Sequence, residues 1–127
     1  MRRSAAGLLG ILVVTALSAC GSNSPDSIED LRDVIEEAGY ECEKPASESG
    51  GGKSVDCGEE IYASWYQDAA GEVEAFDAIS SLYEDIPADY SIELYVIRGQ
   101  QWRISGDKGP VTKVAESLDR DMDMISN

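Results

Sequence analysis

Apolar residues recur along the chain with two periods, and the alternation of those periods lays out its elements. Ile28, Leu31, Val34, Ile35 and Ala38 follow the three-to-four spacing of an amphipathic helix and predict one over 27–38. Asp26 or Ser27 offers its N-cap, with an acid three residues on, and Gly39 is a natural stop. A second stripe of Val73, Phe76, Ile79, Leu82, Tyr83 and Ile86 predicts a helix over 72–86, ended by Pro87. A third stripe of Val111, Val114, Ala115, Leu118, Met122 and Ile125 predicts a closing helix with Pro110 at its first position. Asp119, Asp121 and Asp123 oppose the dipole at its end, so its final turn is expected to fray.

Between the helices the period drops to two. Short strands are expected at 40–43 and 54–57, around a polar, turn-rich loop that contains Gly50, Gly51 and Gly52. After a bulge or break at Gly58-Glu59-Glu60 the second strand resumes over 61–66. Residues 90–97 alternate as a strand, Gly99-Gln100 turns the chain, and 101–105 returns. The order α-β-β-α-β-β-α belongs to the α+β class. Its economical form is two-layered, a four-stranded, mainly antiparallel sheet with the helices packed on one face.

That arrangement assigns faces. Ile61, Ala63, Trp65, Ile92, Leu94, Val96, Trp102 and Ile104 would point at the helices. Tyr62, Tyr66, Tyr95 and Ile97 would point outward beside Gln101 and Arg103. Tyrosines grouped with an arginine have the composition of an interface. Tyr62, Tyr66, Tyr95 and Arg103 are therefore the candidate binding face.

Charge narrows the partners. The 127 residues hold 25 Asp and Glu, 10 Lys and Arg and no His, a formal net charge of −15. The lack of His removes imidazole catalysis and His-ligated metal sites. The acidity argues against nucleic acid, whose phosphates need Lys and Arg.

The N-terminus reads as an address. Arg2 and Arg3 form a basic start, and residues 5–16 form an apolar run without charge. The run is shorter than the roughly 20 residues that span a bilayer, and its layout is that of a secretory signal peptide. Leu17-Ser18-Ala19-Cys20 follows, with Gly21 and Ser22 after it. This segment resembles the lipobox of bacterial lipoproteins, and the chain resembles small exported actinobacterial lipoproteins. The resemblance implies cleavage before Cys20 and a diacylglyceryl thioether on its sulfur. Residues 1–19 would be removed, residues 20–26 would be the lipidated Cys and a flexible tether, and residues 27–127 would be a single small domain. With Arg2 and Arg3 gone, eight basic residues face 25 acidic ones, a net of −17. At fold level the layout also resembles, loosely, the helix–hairpin repeats of secreted inhibitor proteins.

With Cys20 lipidated, Cys42 and Cys57 remain. In an exported protein they most simply pair, and a loop of about 15 residues gives roughly 3 kcal/mol of chain-entropy stabilisation.

Other chemistry is thin. Glu36-Glu37, Glu59-Glu60 and Glu84-Asp85 are paired carboxylates, but nothing in the sequence places two of them across a cleft. Asp119 to Asp123 lacks the glycine and final glutamate of a calcium loop. Gly50-Gly51-Gly52-Lys53 lacks phosphate-loop spacing. Ser64 and Ser105 lack the context of a nucleophile.

The expectation is a lipid-anchored domain at the cell membrane, facing outside the cytoplasm. It would act by binding an envelope or exported protein, without catalysis, metal or cofactor. The alternatives are a secreted hydrolase using paired carboxylates and a structural envelope component without a discrete site. Cys20→Ala is expected to move the protein from the membrane fraction to the soluble fraction and to remove the lipid mass, read by fractionation and mass spectrometry.

Overall fold

The computed structural model describes residues 24–127. The expected signal segment, the lipobox-like residues and Cys20 lie outside the described residues. Three helices surround one antiparallel sheet. The elements are α1 (Ile28–Glu37), β1 (Ala46–Ser47), β2 (Lys53–Asp56), β3 (Ile61–Trp65), α2 (Ala69–Glu84), β4 (Glu93–Arg98), β5 (Trp102–Gly106), α3 (Lys108–Leu118) and β6 (Asp123–Ser126). The sheet runs β1-β2-β3-β5-β4-β6, with every neighbour antiparallel.

The α+β class is as expected, but the sheet has six strands rather than four. One extra strand comes from the expected last helix. That helix stops at Leu118 because Asp119 takes the left-handed conformation, at φ 54° and ψ 48°. The Arg120 N–H then donates to the Ala115 carbonyl at 3.0 Å and the Asp119 N–H to the Glu116 carbonyl at 3.2 Å, a Schellman closure. Gly39 closes α1 the same way, at φ 108°, with Tyr40 N–H donating to Ile35 at 3.4 Å. Freed from the helix, Asp123–Ser126 pairs with β4. Another is β1, which pairs Ala46 with Ser54 and Ser47 with Lys53. The expected break at Gly58-Glu59-Glu60 is a full reversal, with Gly58 at φ 100°, so the one strand expected over 54–66 is two antiparallel strands, β2 and β3. Residues 40–43 form no strand, although the Glu43 N–H donates to Asp56 at 2.8 Å.

The helices do not share one face. Helices α1 and α3 close the main core, where Ile28, Leu31, Ile35, Val111, Val114 and Leu118 meet Ile61, Ala63, Ile97, Trp102 and Ile104. Helix α2 lies on the opposite face, over β5 and β6. Both faces are therefore covered, and this reverses the expected facing of β4. Ile97 pairs with Ile104 and points with Tyr95 into the main core, while Val96 pairs with Ser105 on the α2 side. Val96 and Ile97 are both fully buried. A strand covered on both sides is apolar on both sides, so its alternation carries no facing signal.

Cys42 and Cys57 form the disulfide, tying the chain after α1 to the end of β2. Cys57 is buried in the core and Cys42 packs against it. The β4–β5 hairpin closes on Trp102, whose indole occupies the space a Cβ on Gly99 would need.

The left-handed Asp119 generates a stability prediction. An L residue there carries a steric cost that glycine lacks. Asp119→Gly is expected to raise unfolding free energy by about 0.5–1 kcal/mol, and Asp119→Val to lower it by more. Urea midpoints with unchanged slope check both.

Candidate functional site

Helix α2 covers only part of its face of the sheet. The β2–β3 half stays open as a cleft of about 510 Å³. Ser54, Asp56, Tyr62 and Ser64 line its floor, and the strand register places all four on one face. The loop after β1 forms one wall with Glu48, Ser49, Gly50 and Gly52. The start of α2 forms the other with Gln67, Asp68 and Gly71.

Glycine lets the first wall close. Gly50 and Gly51 have φ values of 91° and 90°, where a side chain would be strained. A Cβ on Gly52 would sit 2.7 Å from the Trp65 carbonyl, so only glycine lets the loop lie this near β3. The Glu48 N–H donates to Gly52 at 2.8 Å, and the Ser54 hydroxyl donates to Glu48 Oε2 at 2.6 Å. Opposite, Asp68 caps α2 by accepting from the Gly71 N–H at 2.8 Å. That cap starts the helix at Ala69, one turn earlier than the stripe of apolar residues predicts.

Behind the cleft lies a buried ion network. Glu72 is 2 % exposed and accepts from Arg98 Nε at 2.8 Å and Nη2 at 2.6 Å. Arg103 is 3 % exposed, with Nη1 3.9 Å from Glu72 Oε2. Its Nη2 donates to the Tyr66 hydroxyl at 2.6 Å, and its Nε and Nη1 have no hydrogen-bond partner among the described residues. Arg98 also stacks 3.7 Å from the Phe76 ring centre. Burial pushes the Tyr66 hydroxyl above its ordinary pKa of 10.0, and the Arg103 charge opposes that rise. Tyr66 therefore stays protonated at neutral pH. The hydroxyl of Tyr83 is also raised, first by burial and then by nearby Tyr62.

The expected face is only partly assembled. Tyr62 and Tyr66 line the cleft together. Arg103 is on the same side but buried behind Tyr66, where it holds the tyrosine rather than meeting a ligand. Tyr95 is on the other side, packed against the main core, with its hydroxyl donating to Glu93 at 2.7 Å. That separation follows from the reversed facing of β4. Sequence reasoning missed Glu72, because a glutamate in an acidic chain gives no sign of burial. It also treated the glycine run as a loop tip; three consecutive glycines were the available signal for close backbone approach.

The paired carboxylates Glu36-Glu37, Glu59-Glu60 and Glu84-Asp85 are all exposed. Among the described residues no three acids or cysteines converge as a metal cluster. No helix of the described residues is long and apolar enough to cross a membrane.

The ion network predicts a large cost for removing its carboxylate. Glu72→Gln strands Arg103 as an uncompensated buried charge and is expected to cost about 3–5 kcal/mol. Glu72→Leu combined with Arg103→Met is expected to recover much of that loss, because a packed apolar pair needs no compensation. Chemical denaturation of the single and double variants checks it.

No protein-family model, curated protein or solved structure matches this chain.

Proposed function

We propose that this protein is a lipid-anchored extracytoplasmic binding domain that recognises an envelope or exported protein through the β2–β3 cleft. The observation that carries the reading is the cleft itself. It is concave and pre-formed, with two tyrosines on its surface and polar groups converging from three elements. Tyrosine supplies broad contact area at low conformational cost, and the surrounding carboxylates, hydroxyls and Gln67 supply directional hydrogen bonds. Glu48, Asp56 and Asp68 outnumber Lys53 around it, so a basic or polar polypeptide segment suits it better than an anion. The Cys20 anchor supplies the membrane attachment, and the folded domain supplies recognition.

Recognition through the cleft separates two kinds of tyrosine. Tyr62→Ser removes a cleft side chain without touching the ion network, whereas Tyr66→Ser also removes the partner of Arg103. Asp56→Lys reverses an exposed charge on the cleft floor. Tyr62→Ser and Asp56→Lys are each expected to weaken crosslinking to the native envelope partner by at least about tenfold, one factor of 1.4 kcal/mol. Their melting temperatures should move by only a few degrees. Glu116→Lys, exposed on α3, should leave crosslinking unchanged. Retained crosslinking in both cleft variants would refute the proposal.

A further inference from the structure

The chain enters the fold at a defined place. Pro25 is buried, and Ser24, Pro25 and Asp26 line a groove with Trp65, Gln101, Trp102 and Arg120. The Asp26 N–H donates to Asp30 Oδ2 at 2.9 Å, and Ser27 caps α1, so the entry segment is tied to the helix that follows. Trp65 and Trp102 are register partners at one end of β3 and β5. The anchor-side chain therefore leaves from that end of the sheet.

The walls of the cleft are at the same end, while its floor runs along the strands from Ser54 and Ser64 to Asp56 and Tyr62. Lys53 pairs with Trp65, and the glycine loop lies immediately before Lys53. Lys53, Trp65, Tyr66 and Gln67 line the cleft and also a groove along Asp26 to Glu29. The other end of the strands holds Ile61 paired with Gly106, with the Asp107 N–H bonded to Glu60 at 2.9 Å. The four residue steps from Ile61 to Trp65 separate the two ends by about 13 Å.

Tether length decides the consequence. Cys20 and Ser24 are four residues apart, a reach of at most about 14 Å. A domain of roughly 100 residues has a radius of gyration near 13 Å, which corresponds to a sphere of about 17 Å radius. The tether is shorter than that radius. The attachment point then cannot rise to the equator of the domain, and the half that carries it always faces the lipid.

We propose that the domain stands on the membrane by the end that holds Pro25, Trp65 and the glycine loop. The walled mouth of the cleft, at the glycine loop and the start of α2, thereby lies beside the headgroups, and the cleft takes a polypeptide segment presented by a membrane-embedded protein. This inference rests on the Cys20 anchor and on the cleft as the binding site. The acidic excess of Glu48, Asp56 and Asp68 over Lys53 repels phosphate headgroups, which leaves a protein segment as the occupant.

The orientation is tested with the full lipidated protein in phosphatidylglycerol–phosphatidylethanolamine vesicles carrying a headgroup acceptor dye. A donor dye is placed at Ser49→Cys on the cleft loop, or at Lys108→Cys at the far end; both positions are exposed. Transfer is expected to be several-fold more efficient from position 49. A 20-residue Gly–Ser insertion after Asn23 should erase the difference. Equal transfer from a vesicle-bound protein overturns the orientation and leaves the anchor standing. Protein that does not float with the vesicles overturns the anchor and the orientation together. The occupant is tested with a photoreactive residue in place of Gln67 in native envelopes. A crosslink to a membrane-embedded protein that the long insertion abolishes supports the proposal. A crosslink to phospholipid, to a soluble exported protein, or one unaffected by the insertion overturns the occupant.

Discussion

A carboxylate buried to 2 % between two guanidinium groups fixes where α2 can lie. Glu72 is in the first turn of that helix, and Arg98 and Arg103 come from adjacent strands. Charges out of water need their partners at hydrogen-bond distance, so the helix start cannot slide along the sheet without stranding one of them. Apolar contact alone would hold α2 loosely, since Val73 is 50 % exposed and Leu82 66 %. The ion network thus supplies positional specificity where the hydrophobic effect is weak.

The cleft is a by-product of that constraint. Pinned at Glu72, the helix begins at the edge of β3 and runs toward β6, leaving the face of β2 and β3 uncovered. The glycine loop then closes the open side, because Gly52 lets backbone meet backbone at Trp65. Tyr66 joins the two regions. Its ring is at the cleft and its hydroxyl accepts from Arg103, so the cleft surface is braced by the buried charge behind it. A surface braced in this way is pre-formed, so the binding proposed for it would need little reordering and carry a lower entropic cost.

The main core is built differently and more conventionally. Helices α1 and α3 each present one apolar stripe to one sheet face, and the disulfide ties the chain after α1 to β2. Both helices end in the same left-handed closure, one with glycine and one with aspartate. Glycine is the common residue there and was legible as a stop; aspartate enters the conformation less readily and was not. The apolar period simply ran on through Met122 and Ile125, which belong to a loop and an edge strand.

Local patterning determined a great deal by itself. Helical periods located all three helices, and the positions of Cys42 and Cys57 were enough to expect their pairing. Alternation and turns located the β4–β5 hairpin and the residues of β2 and β3, though not the reversal between those two, and the class followed from the order of elements. Which face each strand shows was decided only by tertiary structure. Sheet facing depends on what covers each side, and period-two alternation disappears once both sides are covered. Tyr62 and Tyr66 therefore meet at the cleft, while Tyr95 goes to the core. Glu72 and Arg103 are likewise ordinary charged residues in the sequence. Only folding brings them together out of water, where their charges acquire the power to position a helix.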